Sequence, residues 1–119
     1  MAESEARFTT RKVGAVTVAR LVGPHIRDLP TVDELGGALM AVFEAAQPPD
    51  LLIDFSDVVF LTSSFLGRLI ALAKRADQLG GRVRACGVAP RILEIFKVIH
   101  LDRMVEILPT AADVLGPEA

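Results

Sequence analysis

Three consecutive hydroxyl side chains, Thr62, Ser63 and Ser64, are the residues of this chain best placed for chemistry. An apolar run leads to them: Leu51, Leu52 and Ile53, then Val58, Val59, Phe60 and Leu61. A helical pattern follows at once. Phe65, Leu66, Leu69, Ile70, Leu72, Ala73, Ala76 and Leu79 recur at three- and four-residue spacing, with Arg68, Arg75 and Gln78 on the opposite face. The hydroxyls therefore stand at a strand-to-helix junction, where four backbone N–H groups lack intrahelical partners. One of them is expected to cap the helix, and Ser64 is the residue chosen for that role, with Thr62 closing the strand.

A nucleophilic serine would need a base and an oxyanion arrangement around it. Leu61 and Phe65 occupy the places where G-x-S-x-G has glycines, and His100 is the only distant candidate base. No enzyme activity is expected. No Walker or G-x-G-x-x-G pattern supports nucleotide binding. His25 and His100 lack acidic or Cys partners at ligand spacing, so neither a metal nor a cofactor is expected. Cys86, alone between Ala85 and Gly87, reads as a buried strand residue. Asp54 reads as a strand-end carboxylate reaching water or a backbone N–H, and Asp57 as a turn residue.

The elements that must position the junction are legible in order. Arg7–Val13 and Ala15–Leu21 form a hairpin around Gly14, and residues 22–30 read as loop. Thr31 followed by Glu34 is a capping-box pattern that opens a helix, with a stripe of Val32, Leu35, Leu39, Val42 and Ala46 and a stop at Pro48-Pro49. Gly36-Gly37 should cost that helix about 1 kcal/mol each relative to Ala. Either they permit close packing on a sheet or the helix is locally weak.

Asp50–Phe55 is nearly all apolar, as a strand buried on both faces would be. Gly80-Gly81 ends the helix that the hydroxyls open, and Arg82–Gly87 alternates as a strand. Pro90 starts a third helix carrying Ile92, Ile95, Phe96 and Ile99. Met104–Leu108 is a last strand, and Thr110–Leu115 a terminal helix closed by Gly116-Pro117. The order β-β-α-β-α-β-α-β-α calls for a mostly parallel sheet with right-handed crossovers and an antiparallel N-terminal hairpin.

Length and composition bound the rest. The 119 residues suit a single domain spanning 1–119 with its core at about 7–116, and 51% apolar residues suit a globular one. Without Trp or Tyr the core must be mainly aliphatic. One Cys, no signal-peptide pattern and no apolar run of membrane-spanning length lead to a cytoplasmic expectation. Residues 1–60 carry five basic and nine acidic side chains, and residues 61–119 eight and six. Six of the basic ones (Arg68, Lys74, Arg75, Arg82, Arg84, Arg91) lie between Arg68 and Arg91 against Asp77 alone. That run reads first as a solvated helix and strand end, and second as a face for an acidic protein partner. No aromatic platform accompanies it, so direct nucleic-acid binding is not expected.

Over nearly its whole length, with the least support before residue 30 and the matching motifs from residue 51 onward, the chain resembles the STAS domain, the fold of bacterial anti-sigma factor antagonists. In that family a strand ends in a D-S-S/x-G-L-G segment that opens a helix, here Thr62-Ser63-Ser64-Phe65-Leu66-Gly67. Gly80-Gly81, Gly87-Val88-Ala89-Pro90 and Ile99-His100-Leu101 match the family's later landmarks. The resemblance implies an α/β, STAS-like fold: a mixed, mostly parallel sheet with an N-terminal β-hairpin and about four helices. It implies a partner-switching protein in transcription regulation. Its partner would be an anti-sigma factor that is also a histidine-kinase-like serine kinase, and a phosphatase would reset it. The family's phosphorylated serine carries over to Ser63, with Thr62 as the less favoured acceptor, and the contact surface to Thr62, Ser64, Phe65 and Arg68. A phosphoserine brings about −1.5 to −2 charges, which the positive end of a helix favours.

The chain departs from the pattern at Thr62, where the family has Asp, and at Phe65, where it has Gly. Gly23 is followed by Pro24, His25, Ile26 and Arg27, where the family's early loop usually carries an acid. Three other functions remain open: a non-phosphorylated scaffold in a signalling assembly, a module binding a small apolar or anionic ligand at the helix N-terminus in a signalling or transport assembly, and, least favoured, a hydrolase using Ser63.

Overall fold

The computed structural model describes residues 8–116. The hairpin's expected first residue, Arg7, and the closing Pro117 lie outside them. The hairpin is β1 (Phe8–Val13) and β2 (Val16–Leu21), antiparallel and paired from Phe8↔Leu21 to Val13↔Val16. The next elements are β3 (His25–Ile26), α1 (Leu29–Ala45), β4 (Asp50–Asp54), β5 (Phe60–Leu61) and α2 (Ser63–Leu79). After them come β6 (Arg82–Cys86), α3 (Pro90–Val98), a 3-10 turn (Leu101–Arg103), β7 (Glu106–Leu108) and α4 (Ala112–Leu115).

Five strands form a sheet in the order β1-β2-β4-β6-β7, parallel throughout except for the β1–β2 pair. β2, β4, β6 and β7 follow one another both in sequence and in space, so α1, α2 and α3 are successive crossovers of one hand. They cover a single face. Strand alternation divides the side chains between the two faces. Ala19, Ile53, Ala85 and Ile107 lie in register across the helix-covered face, where Leu35, Leu39, Phe43, Phe65, Leu69 and Phe96 pack on it. The opposite face holds a smaller cluster, Val18, Leu52 and Cys86, under Ala111, Val114 and Leu115. Leu51, Leu52 and Ile53 are each at most 1% exposed, which accounts for the unbroken apolar run of β4.

Three expected boundaries move, each for a local reason. α1 starts at Leu29 rather than after Thr31, because Asp28 is its N-cap and accepts from the Thr31 N–H (3.1 Å) and hydroxyl (2.8 Å). Pro30 thus sits in the first turn, where a missing N–H is harmless, instead of ending the loop. The loop itself contains β3, which pairs in parallel with β5 to make a separate two-stranded ribbon. A 3-10 turn at Leu101–Arg103, continued by a turn through residues 104–105, delays β7 to Glu106. The α2 stop holds as expected: Gly80 is left-handed (φ 67°), and the Gly81 N–H returns to the Ala76 carbonyl at 2.8 Å.

The two adjacent glycines of α1 have different explanations. A Cβ on Gly36 would lie 2.8 Å from Arg68 Cγ and 2.9 Å from its Cδ, so this glycine is a seat for the arginine stem of α2. The close packing is helix on helix, not helix on sheet. A Cβ on Gly37 would meet nothing within 4 Å, and only its helix-propensity cost remains. Gly37→Ala is therefore expected to stabilise the fold by about 0.5–1 kcal/mol. Gly36→Ala should show part of that gain only in an Arg68→Ala background, where the contact to the Cβ of residue 68 (3.1 Å) is all that remains, a non-additivity that a double-mutant denaturation cycle reads directly.

Candidate functional site

The β3–β5 ribbon places the start of α2. His25 pairs with Phe60 and Ile26 with Leu61, and the Thr62 N–H donates to the Ile26 carbonyl at 3.0 Å. Behind the ribbon, the turn from β4 is fixed by Asp54, whose carboxylate accepts from the Ser56 N–H (2.9 Å) and hydroxyl. Asp54 thus reaches a backbone N–H, as its strand-end position suggested. Arg20 stands beside it at 3.9 Å and pairs with the turn residue Asp57 at 3.0 Å.

Thr62, not Ser64, is the N-cap of α2. Its backbone is extended (φ −92°, ψ 164°), and its hydroxyl accepts from the Phe65 N–H at 3.4 Å. The helix starts two residues earlier than a cap at Ser64 would allow, because the ribbon bond to Ile26 fixes Thr62 as the last extended residue. Ser63 and Ser64 are consequently the first two helical residues, and both are exposed. Among the described residues neither hydroxyl makes a hydrogen bond. Their amides precede the first intrahelical bonds, which run from Phe65 (3.1 Å) and Leu66 (3.2 Å) to the Thr62 carbonyl.

The other expected contact residues separate. Phe65 is 0% exposed and belongs to the main core, so its placement on a contact surface is corrected. Its phenyl group fills space that a glycine would leave, and it points inward because position 65 shares the sheet-facing stripe with Leu69 and Leu72. Arg68 is half exposed but engaged, its stem over Gly36 and its guanidinium paired with Asp33 of α1. Of the other basic side chains in the Arg68–Arg91 run, Arg75 pairs with Glu44 (2.9 Å), Arg82 with Glu106 (3.3 Å) and Arg84 with Asp50 (2.9 Å). The run is largely neutralised by acids from elsewhere in the chain.

What the sequence did not reveal is the exposed apolar surface beside the hydroxyls. Phe60 is 46% exposed with His25 edge-on to it (centroids 6.4 Å apart), and Val59 is 56% exposed. The one available signal was that Val58–Leu61 carries four consecutive apolar residues, more than a half-buried strand would bury; Val58 and Leu61 are buried and Val59 and Phe60 are exposed. Cavities of about 370, 450 and 560 Å³ lie along the second half of α2 and between α3 and β7, and none is lined by residues 62–64. Among the described residues no cluster of three or more His, Cys, Asp or Glu could hold a metal, and no helix is long and apolar enough to cross a membrane.

Cys86 lies buried between the sheet and α4, as its strand position suggested. Burial first, then the nearby Asp54 and Asp113 carboxylates, push its thiol up from 9.0 to about 11. Native Cys86 should therefore resist iodoacetamide at pH 8 and react once the chain is unfolded. A pKa raised by folding favours the native state below the unfolded value, and that contribution is lost as pH rises from about 9 to 11. Cys86→Ala should lose less stability than the native chain across that window.

The sheet order, the three helices on one face and the hydroxyl junction carried by a separate ribbon define an α/β domain of the STAS class. The family model described as Mlab, STAS domain, matches residues 8–109, and the chain belongs to the STAS domain family. It is similar to an anti-sigma-factor antagonist (STAS) domain protein from Planctomyces limnophilus, at 28% identity over 92% of this chain and 96% of that one, with a TM-score of 0.81. An anti-sigma factor antagonist from Mycobacterium paratuberculosis is 30% identical over 89% of this chain and 87% of that one (TM-score 0.69). The Bacillus cell fate determinant SpoIIAA in its phosphorylated form shares the fold, at 16% identity over 94% and 99% of the two chains (TM-score 0.69).

Proposed function

We propose that this chain is a regulatory binding module of the anti-sigma factor antagonist type, controlled by phosphorylation of Ser63. Its partner is an anti-sigma factor that doubles as a serine kinase. The observation that carries the reading is the division of roles at the start of α2. Thr62 supplies the cap, which leaves the exposed Ser63 hydroxyl outside the fold's hydrogen bonds. In the transfer, Ser63 Oγ forms a bond to the γ-phosphorus of ATP held by the kinase. The bond from that phosphorus to the departing ADP oxygen breaks, and the hydroxyl proton passes to a base of the kinase.

A phosphate there adds about −1.5 to −2 charges beside amides that have no intrahelical partner. The fold is left intact and the surface presented to a docked partner changes sign and shape. Contact falls to Thr62, Ser63 and Ser64 with the neighbouring Phe60 and Val59. Arg68 contributes through the part of its guanidinium that Asp33 leaves exposed. The presence of antagonists among the similar structures supports the same reading.

The test is a phosphopeptide map over residues 62–64 of protein isolated from its own cells. Phosphate on Ser63 is the expected result; phosphate on Thr62 would move the acceptor by one residue. A peptide that stays unmodified through growth and stress would overturn the switch and leave a scaffold that binds through the same surface. In that case Ser63→Ala and Ser63→Asp would both bind partners normally.

A further inference from the structure

The register of the β3–β5 ribbon brings a cation to the phosphoacceptor. His25↔Phe60 and Ile26↔Leu61 are neighbours, and the Ile26 carbonyl is bonded to the Thr62 N–H. The pairing ends there, and Arg27 directly follows the residue whose carbonyl the Thr62 N–H bonds, which brings its backbone next to Thr62, one residue from Ser63. Side chains alternate along the ribbon: Ile26 and Leu61 are buried, whereas His25 and Phe60 are exposed on the other side and touch. Arg27, the next residue after the ribbon, is exposed. Paired strands lie about 4.8 Å apart, so an extended arginine beside Thr62 spans the distance to the Ser63 side chain.

Among the described residues Arg27 has no ion pair or hydrogen bond. The acids nearest in the chain are otherwise engaged, Asp28 as the cap of α1 and Asp33 with Arg68. We propose that Arg27 holds the phosphoryl group once Ser63 is phosphorylated, fixing the modified residue against the ribbon. This rests on Ser63 being the phosphoacceptor. Arg suits the role because its planar fork matches two phosphate oxygens at once. The consequence is a phosphoserine with one defined orientation, shielded from a phosphatase until the pair opens.

The experiment uses the full chain with phosphoserine installed at position 63 during translation, so no kinase is needed. Phosphorus NMR then follows the second ionisation of the phosphate in the native chain and in the Arg27→Gln, Arg27→Lys and Lys74→Gln variants. Arg27 favours the dianion, so the native chain should titrate about 0.3–0.7 pH units below Arg27→Gln, with Arg27→Lys between them. The difference should shrink at high salt, and alkaline phosphatase should release phosphate faster from Arg27→Gln.

Lys74→Gln, which removes the same charge from the middle of α2, should titrate like the native chain. Identical titration of the native chain and Arg27→Gln would overturn the proposal, as would an equal shift in Lys74→Gln. Amide spectra of each variant report folding independently. A clean phosphopeptide map with a shifted titration would remove the cellular switch but keep the Arg27 contact; phosphate on Ser63 with no shift would do the reverse.

Discussion

Phe65→Ala is expected to lower the free energy of unfolding by about 3–5 kcal/mol, the range for emptying a buried phenyl site. Phe65 is completely buried two residues after the exposed Ser63, in the core that α1, α2 and the sheet share. Its N–H is also the one that Thr62 caps, so a shift of the phenyl group would disturb the helix start itself. With total stabilities of about 5–15 kcal/mol, the loss is a large fraction of the whole. The chain has neither Trp nor Tyr, so urea unfolding is best followed by circular dichroism. Ser63→Ala, at an exposed position outside the cap, should stay within about 0.5 kcal/mol of the native chain. A loss below about 1 kcal/mol for Phe65→Ala would mean that the phenyl group lies on the surface after all.

The second large effect is on the other face of the sheet. Arg84 and Asp50 form a part-buried pair, with side chains 11% and 16% exposed and Arg84 Nη2 at 2.9 and 3.1 Å from the two carboxylate oxygens. Among the described residues Arg84 Nε is buried without a partner and Asp50 is the one carboxylate paired with the guanidinium. Asp50→Ala strands the charge and is expected to cost about 3–5 kcal/mol. Replacing both residues with apolar ones of similar volume, Asp50→Leu with Arg84→Met, should recover most of that loss, because the desolvation penalty disappears with the charges. Recovery in the double variant separates a stranded charge from simple loss of packing. If the double variant were as unstable as Asp50→Ala, packing would be the cause.

Long periodic segments were legible without coordinates. The apolar stripe of α2, the alternation of β6 and the unbroken run of β4 each report burial, and burial follows the helix and strand periods. The misplacements share a cause, which is that short elements are set by partners distant in sequence. β3 and β5 are two residues each, and neither has a period of its own; they exist because His25 and Ile26 meet Phe60 and Leu61. That pairing then decides the cap, choosing Thr62 over Ser64, both of which are acceptable by residue type. Similarly, Pro30 reads as a loop terminator until Asp28 is seen to cap the turn that contains it. The basic run from Arg68 to Arg91, read first as a solvated helix and strand end, is in the fold balanced by Asp33, Glu44, Asp50 and Glu106, which come from other parts of the chain and so leave no mark on the run itself.

The separation of Thr62 from Ser63 also bears on how such a domain can diversify. The hydroxyl that the helix needs and the hydroxyl offered to the outside belong to different residues. Position 63 is thereby released from selection for folding, and its identity can drift or be exchanged without passing through an unstable intermediate. Position 62 is tied to the cap and the ribbon and has no such freedom. On the function proposed above, a lineage could rewire the signal it receives, or abandon it, in a single step at one codon.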